Sequence, residues 1–211
     1  MKKTVTMAIA IAAISISIMS CNNTTSQSTE AIIIDNILTR TSVRKFTEQK
    51  LTDTQIETLL RAGMAAPTGI NLQPWEFIVI TDTTVQNKLV TSRVNTMYRE
   101  APCLIVVCGD TTAVFKPHDD PDAQPMERPN GNWTQDCSAA TENILLAAHA
   151  MGLGAVWTAA WPYPERYNII REVLGIPDKI MPLAVIPVGY PAQDPKPKDK
   201  WKPAKIHYNQ W

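Results

Sequence analysis

The sequence predicts a single domain of mixed helices and strands, in the α/β or α+β class, with a sheet covered on both faces. The chain has 211 residues, of which 45% are hydrophobic, enough for one domain with a sizeable core. Segments with helical spacing of apolar residues alternate with short runs of β-forming residues. The nearly all-apolar run CLIVVCGD at 103–110 is typical of a strand buried on both faces.

Charge and repeats exclude other classes. The 20 basic and 20 acidic residues give a formal net charge of zero, so a nucleic-acid-binding surface has no support from composition. No segment repeats at a period of 20–50 residues, which argues against a solenoid. No metal site is predicted, because the acidic run at 118–122 has no second ligand cluster to support it.

The first thirty residues indicate export. Two lysines precede an apolar run, the pattern of a secretory signal, and IMSC at 18–21 resembles the bacterial lipobox. We therefore expect a signal peptide at 1–20, lipidation of Cys21, a polar tether at 21–30 and a folded domain at 31–211. This predicts a lipid-anchored location in the bacterial cell envelope, at the periplasmic face or the outer membrane. The alternative is an ordinary signal with a chance cysteine.

Two helices are predicted at the start of the domain. Residues 31–40 carry apolar side chains at helical spacing. The second helix begins after Thr52, which can form a capping box with Gln55. Its apolar stripe predicts burial of one face, and Pro67 ends it.

The middle of the domain is predicted to hold two strands, a helix and a long loop. EFIVITD at 76–82 is a strand, 85–100 a helix, and 103–110 the central strand. Residues 111–135 are rich in Pro, Asp and Asn and have no periodicity, so they predict a long surface loop or lid.

The last third is predicted to complete the core. A helix spans 136–152, with Asp136 as its cap and Gly152 as its end. A strand follows the glycine turn, and a helix at 165–175 and a strand at 182–191 come next. The tail beyond them is rich in Lys and Pro and too polar to form a core of its own.

Three cysteines remain beyond the predicted signal and lipidation site: Cys103, Cys108 and Cys137. An odd number argues against a disulfide framework. Cys103 and Cys108 lie an odd number of positions apart on one strand, so they should point to opposite faces. All three are predicted to be small core residues and not ligands.

Two basic segments could bind one anion. RTSVR at 40–44 places Arg40, Ser42 and Arg44 at alternate positions, so two guanidinium groups and a hydroxyl could face one phosphate. Lys198 and Lys200, on one side of an extended stretch of the tail, could contact the same phosphate. The alternatives are a solvated basic helix end and a soluble charged tail.

The junction AAPTGINLQPWEFIVI at 65–80 joins a helix end directly to a strand. A plain surface turn needs Gly, Pro or Asn. This turn also carries Thr68, Gln73 and Trp75, which such a turn does not require.

Four segments occur together and in order: RTSVRKF, the junction at 65–80, AAHAMGLGAVW, and IPVGYP followed by the basic tail and KIHYNQW. Over roughly residues 33–211 they resemble the nitroreductase family of FMN-dependent oxidoreductases. The resemblance implies an α+β sandwich, in which helices cover a mixed, mainly antiparallel sheet. It also implies an intertwined homodimer with a flavin at each of two subunit interfaces.

The resemblance further implies which residues bind FMN. The basic segments would hold the phosphate, and the junction would lie against the flavin of the partner subunit. The stretch at 157–160 would follow the reactive face, with the Ala159 N–H directed at flavin N5, although Trp157 could equally be a core residue. The implied set is Arg40, Thr41, Ser42, Arg44, Pro67, Thr68, Gly69, Asn71, Gln73, Trp157, Thr158, Ala159, Ala160, Lys198 and Lys200.

The chain departs from the family pattern at two of these positions. Thr68 stands where Ser is common, and Lys200 stands where Arg is frequent, which keeps the charge but loses the bidentate fork. No side chain is assigned a role as catalytic acid or base.

The implied function is ping-pong reduction of a small organic acceptor, such as a nitroaromatic compound or a quinone, through bound FMN. NAD(P)H is the implied electron donor. Two alternatives stay open: a flavin-binding lipoprotein without turnover, acting as a carrier, and a flavin-dependent reductive dehalogenase. The implied partners are a second copy of the chain, a small-molecule donor and acceptor, and a membrane through the lipid anchor only.

Overall fold

The computed structural model describes residues 28–91, 95–115 and 122–211. The predicted signal peptide and the predicted lipidation site at Cys21 lie outside the described residues. So does most of the acidic run that was considered as a metal site.

The described residues form six α-helices and seven β-strands. The helices are α1 (Thr29–Thr39), α2 (Asp53–Met64), α3 (Thr83–Lys88), α4 (Met97–Glu100), α5 (Trp133–Ala150) and α6 (Pro164–Leu174). The strands are β1 (Trp75–Ile80), β2 (Cys103–Asp110), β3 (Thr112–Phe115), β4 (Met126–Pro129), β5 (Gly154–Ala155), β6 (Thr158–Ala159) and β7 (Ile180–Gly189).

The main sheet has β2 and β7 at its centre. The strand order is β1–β2–β7–β5, with β6 also paired to β7, and each of these pairs is antiparallel. Residues 103–109 of β2 are all buried, because their alternate side chains enter the two opposite layers of the core. The predicted α+β class with a mainly antiparallel sheet is confirmed.

Helices cover both faces of the sheet and define two core clusters. One contains Leu59 of α2 and Ile144 of α5, and the other contains Tyr98 of α4 and Ile170 of α6. Cys103 lies in the first cluster and Cys108 in the second, so the prediction of opposite faces is confirmed.

The three predicted core cysteines are free and buried. Burial raises the pKa of Cys103, Cys108 and Cys137 to about 12. At neutral pH these thiols are protonated and therefore poor nucleophiles.

The predicted start of α2 and the predicted end of α6 are confirmed. At the start of α2, Thr52 N–H donates to Gln55 Oε1 at 2.9 Å, and Gln55 N–H donates to Thr52 Oγ1 at 3.2 Å. This reciprocal pair is the capping box. Gly175 ends α6 in the left-handed region at φ 63°, a conformation that glycine adopts without steric penalty.

The prediction of one helix over 85–100 is wrong. The segment instead contains the end of α3 and all of α4, and Gln86 of α3 turns inward and is only 1% exposed. Its Nε2 donates to the carbonyl oxygens of Ile80 and Ala101. These bonds tie the end of α3 to the chain on both sides of it.

The prediction of a long surface loop or lid over 111–135 is wrong in part, because the segment contains β3 and β4, which pair antiparallel with Thr112 opposite Pro129. Backbone pairing needs no apolar alternation, so the sequence pattern gave no signal for these strands. An ion pair between Lys179 and Glu127 connects β4 to the turn before β7.

Two smaller expectations also change. The predicted strand after Gly152 is divided into β5 and β6, each pairing separately with β7. Helix α5 begins at Trp133, so Asp136 is not its cap but lies inside its first turn.

Candidate functional site

The basic segment at 40–44 runs extended after α1. Val43 is its buried residue, and its N–H donates to Ala155 O at 3.1 Å. Gly154 makes this close approach possible, since a Cβ there would lie 2.5 Å from Val43 Cγ1. Because side chains alternate along an extended chain, Val43 points inward while Ser42 and Arg44 point away from it.

An open cleft of about 1000 Å³ lies beside this segment. Its walls are the end of α1, the basic segment, Glu142 of α5 and the tail at 195–201. The structure thus brings six of the predicted residues to one cleft: Arg40, Thr41, Ser42, Arg44, Lys198 and Lys200.

Positive charge predominates in this cleft. Arg40 Nε lies 3.4 Å from Glu142 Oε1. Within the described part of the chain, Arg44, Lys198 and Lys200 take part in no ion pair. Guanidinium and ammonium groups around an open space can bind an oxyanion such as a phosphate.

The junction between α2 and β1 forms a turn with an unusual backbone. Pro67 precedes a short 3₁₀ turn at Gly69–Asn71. Ile70, Asn71 and Gln73 have φ of 45°, 59° and 50°, although none of them is glycine. Left-handed conformations are unfavourable for most L-residues and cluster at functional sites.

Hydrogen bonds within this turn link its polar side chains. Gln73 N–H donates to Thr68 Oγ1 at 3.2 Å, and Gln73 Nε2 donates to Asn71 Oδ1 at 2.8 Å. Asn71 and Gln73 are both exposed. Their amide groups are therefore accessible to a ligand that offers donors and acceptors along one edge.

The turn is tied to the start of α5. Gly69 N–H donates to Asp136 Oδ1 at 3.0 Å, and a Cβ on Gly69 would lie 2.8 Å from Asn132 Nδ2. Sequence reasoning missed this role of Asp136, because capping explains an acidic residue at a helix start equally well.

The third predicted segment, 157–160, includes β6. Thr158 Oγ1 donates to Val185 O at 2.6 Å and lies 2.6 Å from Tyr98 Oη. Burial raises the pKa of Tyr98, so its hydroxyl stays protonated and can donate to Thr158. The Ala159 carbonyl accepts a bond from Arg166 Nη1 at 3.1 Å. Sequence reasoning missed Tyr98, which lies 60 residues before Thr158 in the chain, and Arg166, which lies seven residues after Ala159.

The three groups do not meet in one cavity of a single chain. The large cleft is lined by neither the junction nor the segment at 157–160. Thr158 and Ala159 line a separate small cavity of about 60 Å³ with Tyr98 and Arg166, while Trp157 is half-buried and Ala160 buried. That they form one site, shared between two copies of the chain, stays a prediction.

No group of three or more His, Cys, Asp or Glu side chains is placed to bind a metal ion in the described ranges. The polar groups of the candidate site are instead guanidinium, ammonium, hydroxyl and amide groups, which suit an organic anion.

Curated relatives resemble most of the chain. A protein of Methanothermobacter thermautotrophicus, named as an NADH dehydrogenase/NAD(P)H nitroreductase, is 37% identical over 85% of this chain and 87% of its own length. A weaker relative, the iodotyrosine deiodinase of Thermotoga neapolitana, is 25% identical over 81% of this chain and 94% of its own length.

Solved structures share the fold. One of an NADH dehydrogenase/NAD(P)H nitroreductase from Parabacteroides distasonis is 44% identical, with a TM-score of 0.74, and covers 85% of this chain and 98% of its own. The NADPH:FMN oxidoreductase of Vibrio harveyi, complexed with NAD⁺, is 29% identical, with a TM-score of 0.71, and covers 85% of this chain and 78% of its own.

These comparisons correct the predicted location. Two relatives named as NADH dehydrogenase/NAD(P)H nitroreductases each match about 85% of this chain, and their similarity does not support a lipid-anchored place in the cell envelope. Among the described helices, none combines the length and apolarity needed to cross a bilayer. The envelope assignment was wrong because it rested on the first thirty residues alone, which lie outside the range 37–190 that matches the family.

The predicted family rested on four short segments, and a comparison over the whole domain tests it independently. Residues 37–190 match the sequence profile described as Nitroreductase family, which is more than half of the chain. This range includes the basic segment, the junction and the stretch at 157–160, which are three of the groups described above. The chain therefore belongs to the nitroreductase family of oxidoreductase enzymes.

Proposed function

We propose that the chain binds FMN and uses it to transfer electrons from a nicotinamide donor to a small organic acceptor. The observation that carries this proposal is the cleft that gathers Arg40, Arg44, Lys198 and Lys200 in a member of this family. NADPH and FMN appear together in the name of the Vibrio harveyi relative.

The residues present fit the three parts of FMN. The cationic cleft suits the phosphate, with Ser42 and Thr41 as hydroxyl partners. The exposed amides of Asn71 and Gln73 suit the pyrimidine edge, which has fixed donors and acceptors. Pro67, Thr68 and Gly69 set the course of the backbone into this turn.

The stretch Trp157–Ala160 is proposed to lie along the reactive face, with the Ala159 N–H directed at N5. When bound, FMN supplies the hydride and electron chemistry, and the protein supplies binding, orientation and electrostatics. A backbone N–H can stabilise charge that develops on a ring nitrogen. The Tyr98–Thr158–Val185 bonds would hold this stretch in place.

A complete site is proposed to need a second copy of the chain. Helix α1 has no buried residue, and its apolar side chains are 49% to 70% exposed: Ile32, Ile33, Ile34, Ile37 and Leu38. In the tail, Trp201, Tyr208 and Trp211 are exposed as well. Exposed apolar surface of this kind marks an interaction site, and in the homodimer each junction would face the flavin held by the other chain.

Two alternatives remain distinct from a nitro- or quinone reductase. Reductive dehalogenation has the support of the deiodinase relative, at lower identity. A carrier of flavin without turnover would have the same binding residues and differ only in lacking reduction by a donor.

An anaerobic assay separates these functions. We expect the FMN-loaded chain to lose its flavin absorbance when NADH or NADPH is added, and to regain it with a nitroaromatic compound or a quinone. Regain with iodotyrosine and release of iodide would favour the dehalogenase. Bound flavin that neither nicotinamide reduces would contradict the proposed enzyme and favour the carrier.

A further inference from the structure

The turn between α2 and β1 is held in a conformation that its residues do not favour. Ile70, at φ 45° and ψ 30°, is β-branched and 75% exposed. Its own packing therefore does not hold it there. Asn71 and Gln73 follow in the same left-handed region. Such a backbone persists when surrounding structure imposes it.

The Asp136 side chain is placed to impose this left-handed backbone on the turn. Its Oδ1 accepts the Gly69 N–H at 3.0 Å, one residue before Ile70. The carboxyl group is rigidly held, because Asp136 is 6% exposed and lies in the first turn of the 18-residue helix α5. Asn132, at the start of that helix, also crowds the Gly69 Cα.

The second carboxylate oxygen indicates that this contact is not simply stabilising. Asp136 Oδ2 is buried and has no hydrogen-bond partner in the described structure. A buried polar atom without a partner destabilises a fold, and an apolar side chain would avoid that penalty. The acceptor for Gly69 is thus provided at the expense of stability.

We infer that Asp136 is a positioning residue for flavin binding. Through the Gly69 N–H it fixes the strained turn, so that Asn71 and Gln73 present their amides to the flavin ring. This inference rests on the proposed function, in which the turn contacts the ring and the distant cationic cleft contacts the phosphate.

Separate titrations of the full-length protein with FMN and with riboflavin test this role of Asp136. FMN and riboflavin share the ring, and riboflavin lacks the phosphate. In Asp136→Ala we expect the Kd of both, measured by fluorescence titration, to rise by a similar factor of about ten, because the ring contact is impaired and the phosphate cleft is intact. Asp136→Asn, whose amide oxygen can still accept from Gly69, should bind both close to normally.

Two further variants separate positioning from general stability. Asp136→Leu removes the unpartnered oxygen, so it should keep or raise the melting temperature while both flavins bind weakly. Gln86→Ala is the matched control, because Gln86 is equally buried, has an unpartnered Oε1 and lies away from the turn. It should lower the melting temperature and leave both Kd values unchanged.

A second substitution that relieves the backbone strain at Ile70 should partly rescue flavin binding. Asn adopts the left-handed region more readily than Ile, so Ile70→Asn should restore part of the affinity lost in Asp136→Ala. A purely structural role would give no rescue.

The inference is overturned if Asp136→Ala and Asp136→Leu bind both flavins normally, if only FMN is weakened, or if Gln86→Ala weakens binding equally. An unaltered protein that binds neither flavin would instead refute the proposed function itself.

Discussion

Single residues set the charge of the cleft proposed for the phosphate. Arg44 faces it without an ion-pair partner in the described structure, while Arg40 is 16% exposed and lies against Glu142, which is 48% exposed. Glu142 and Asp199 are the two carboxylates that line the cleft among its cations. We therefore expect that removing a basic side chain from the cleft weakens FMN binding, and that removing an acidic one strengthens it.

Arg44→Ala should weaken FMN binding by about 1.5–3 kcal/mol, the range for a lost hydrogen bond to a charged group. Glu142→Gln should strengthen it by at most about 1 kcal/mol, because exposed ion pairs are weak. Both effects should shrink as salt rises. Fluorescence titration at two salt concentrations measures them, with riboflavin as the control ligand, and equal effects on riboflavin would remove the phosphate assignment.

The basic segment was visible in the sequence, because alternating Arg, Ser and Arg residues after a helix are a local pattern. Asp136 and Tyr98 were not visible in the same way. Each acts on a segment that is distant in the chain, and only the folded domain brings the partners together.

At the scale of elements, α2 depends on its first turn. Its capping box satisfies two backbone N–H groups that would otherwise lack partners at the helix start. The helix packs against α5 and leads directly into the strained turn, so its start is a place where local stability can be measured.

Thr52→Ala should destabilise the protein by about 1 kcal/mol, which for a chain of this size lowers the melting temperature by about 2–4 °C. Thr58→Ala, on the same helix, is the control: among the described residues its Oγ1 bonds only to Thr54 O, and Ala is the better helix former. Calorimetry that gives equal losses for both variants would show that the box contributes nothing.

Elements with strong local patterns were predicted well, and those decided by distant contacts were not. The central strand was visible as an apolar run, and the helix at Thr52 had caps and a stripe. Before the break between α3 and α4, the buried Gln86 amide bonds to two backbone carbonyl oxygens, and polar residues are ordinarily assigned to the surface. The β3–β4 pair depends on backbone bonds, to which composition gives no guide.

At the scale of the whole molecule, the three proposed groups of the flavin site belong to different regions of one chain. The exposed apolar side chains of α1 border the same cleft, through Ile37 and Leu38. Assembly with a second copy would cover these side chains and could bring the junction of one chain to the cleft of the other.

Mixed dimers test this arrangement. One chain carries Arg40→Ala/Arg44→Ala, the other carries Asn71→Ala/Gln73→Ala, and two affinity tags select the mixed species. If sites are shared, each mixed dimer has one intact site, so saturating FMN should give roughly half a flavin per chain by site counting. No recovery above either parent dimer would show that each site is built within one chain.

The pairing of the two central strands also affects how the protein emerges from the ribosome. Leu104 of β2 lies opposite Pro187 of β7. One edge of β2 therefore has no hydrogen-bonding partner until β7 has been translated. At about 5–20 residues per second, chains of this kind leave such an edge unpaired for roughly 4–16 seconds. During that interval β1 can protect the other edge, but the apolar side chains of β2 are open to water at least until α5 and α6 have been synthesised. A nascent chain stalled before β7 should therefore recruit holding chaperones, and release past Gly189 should free it from them.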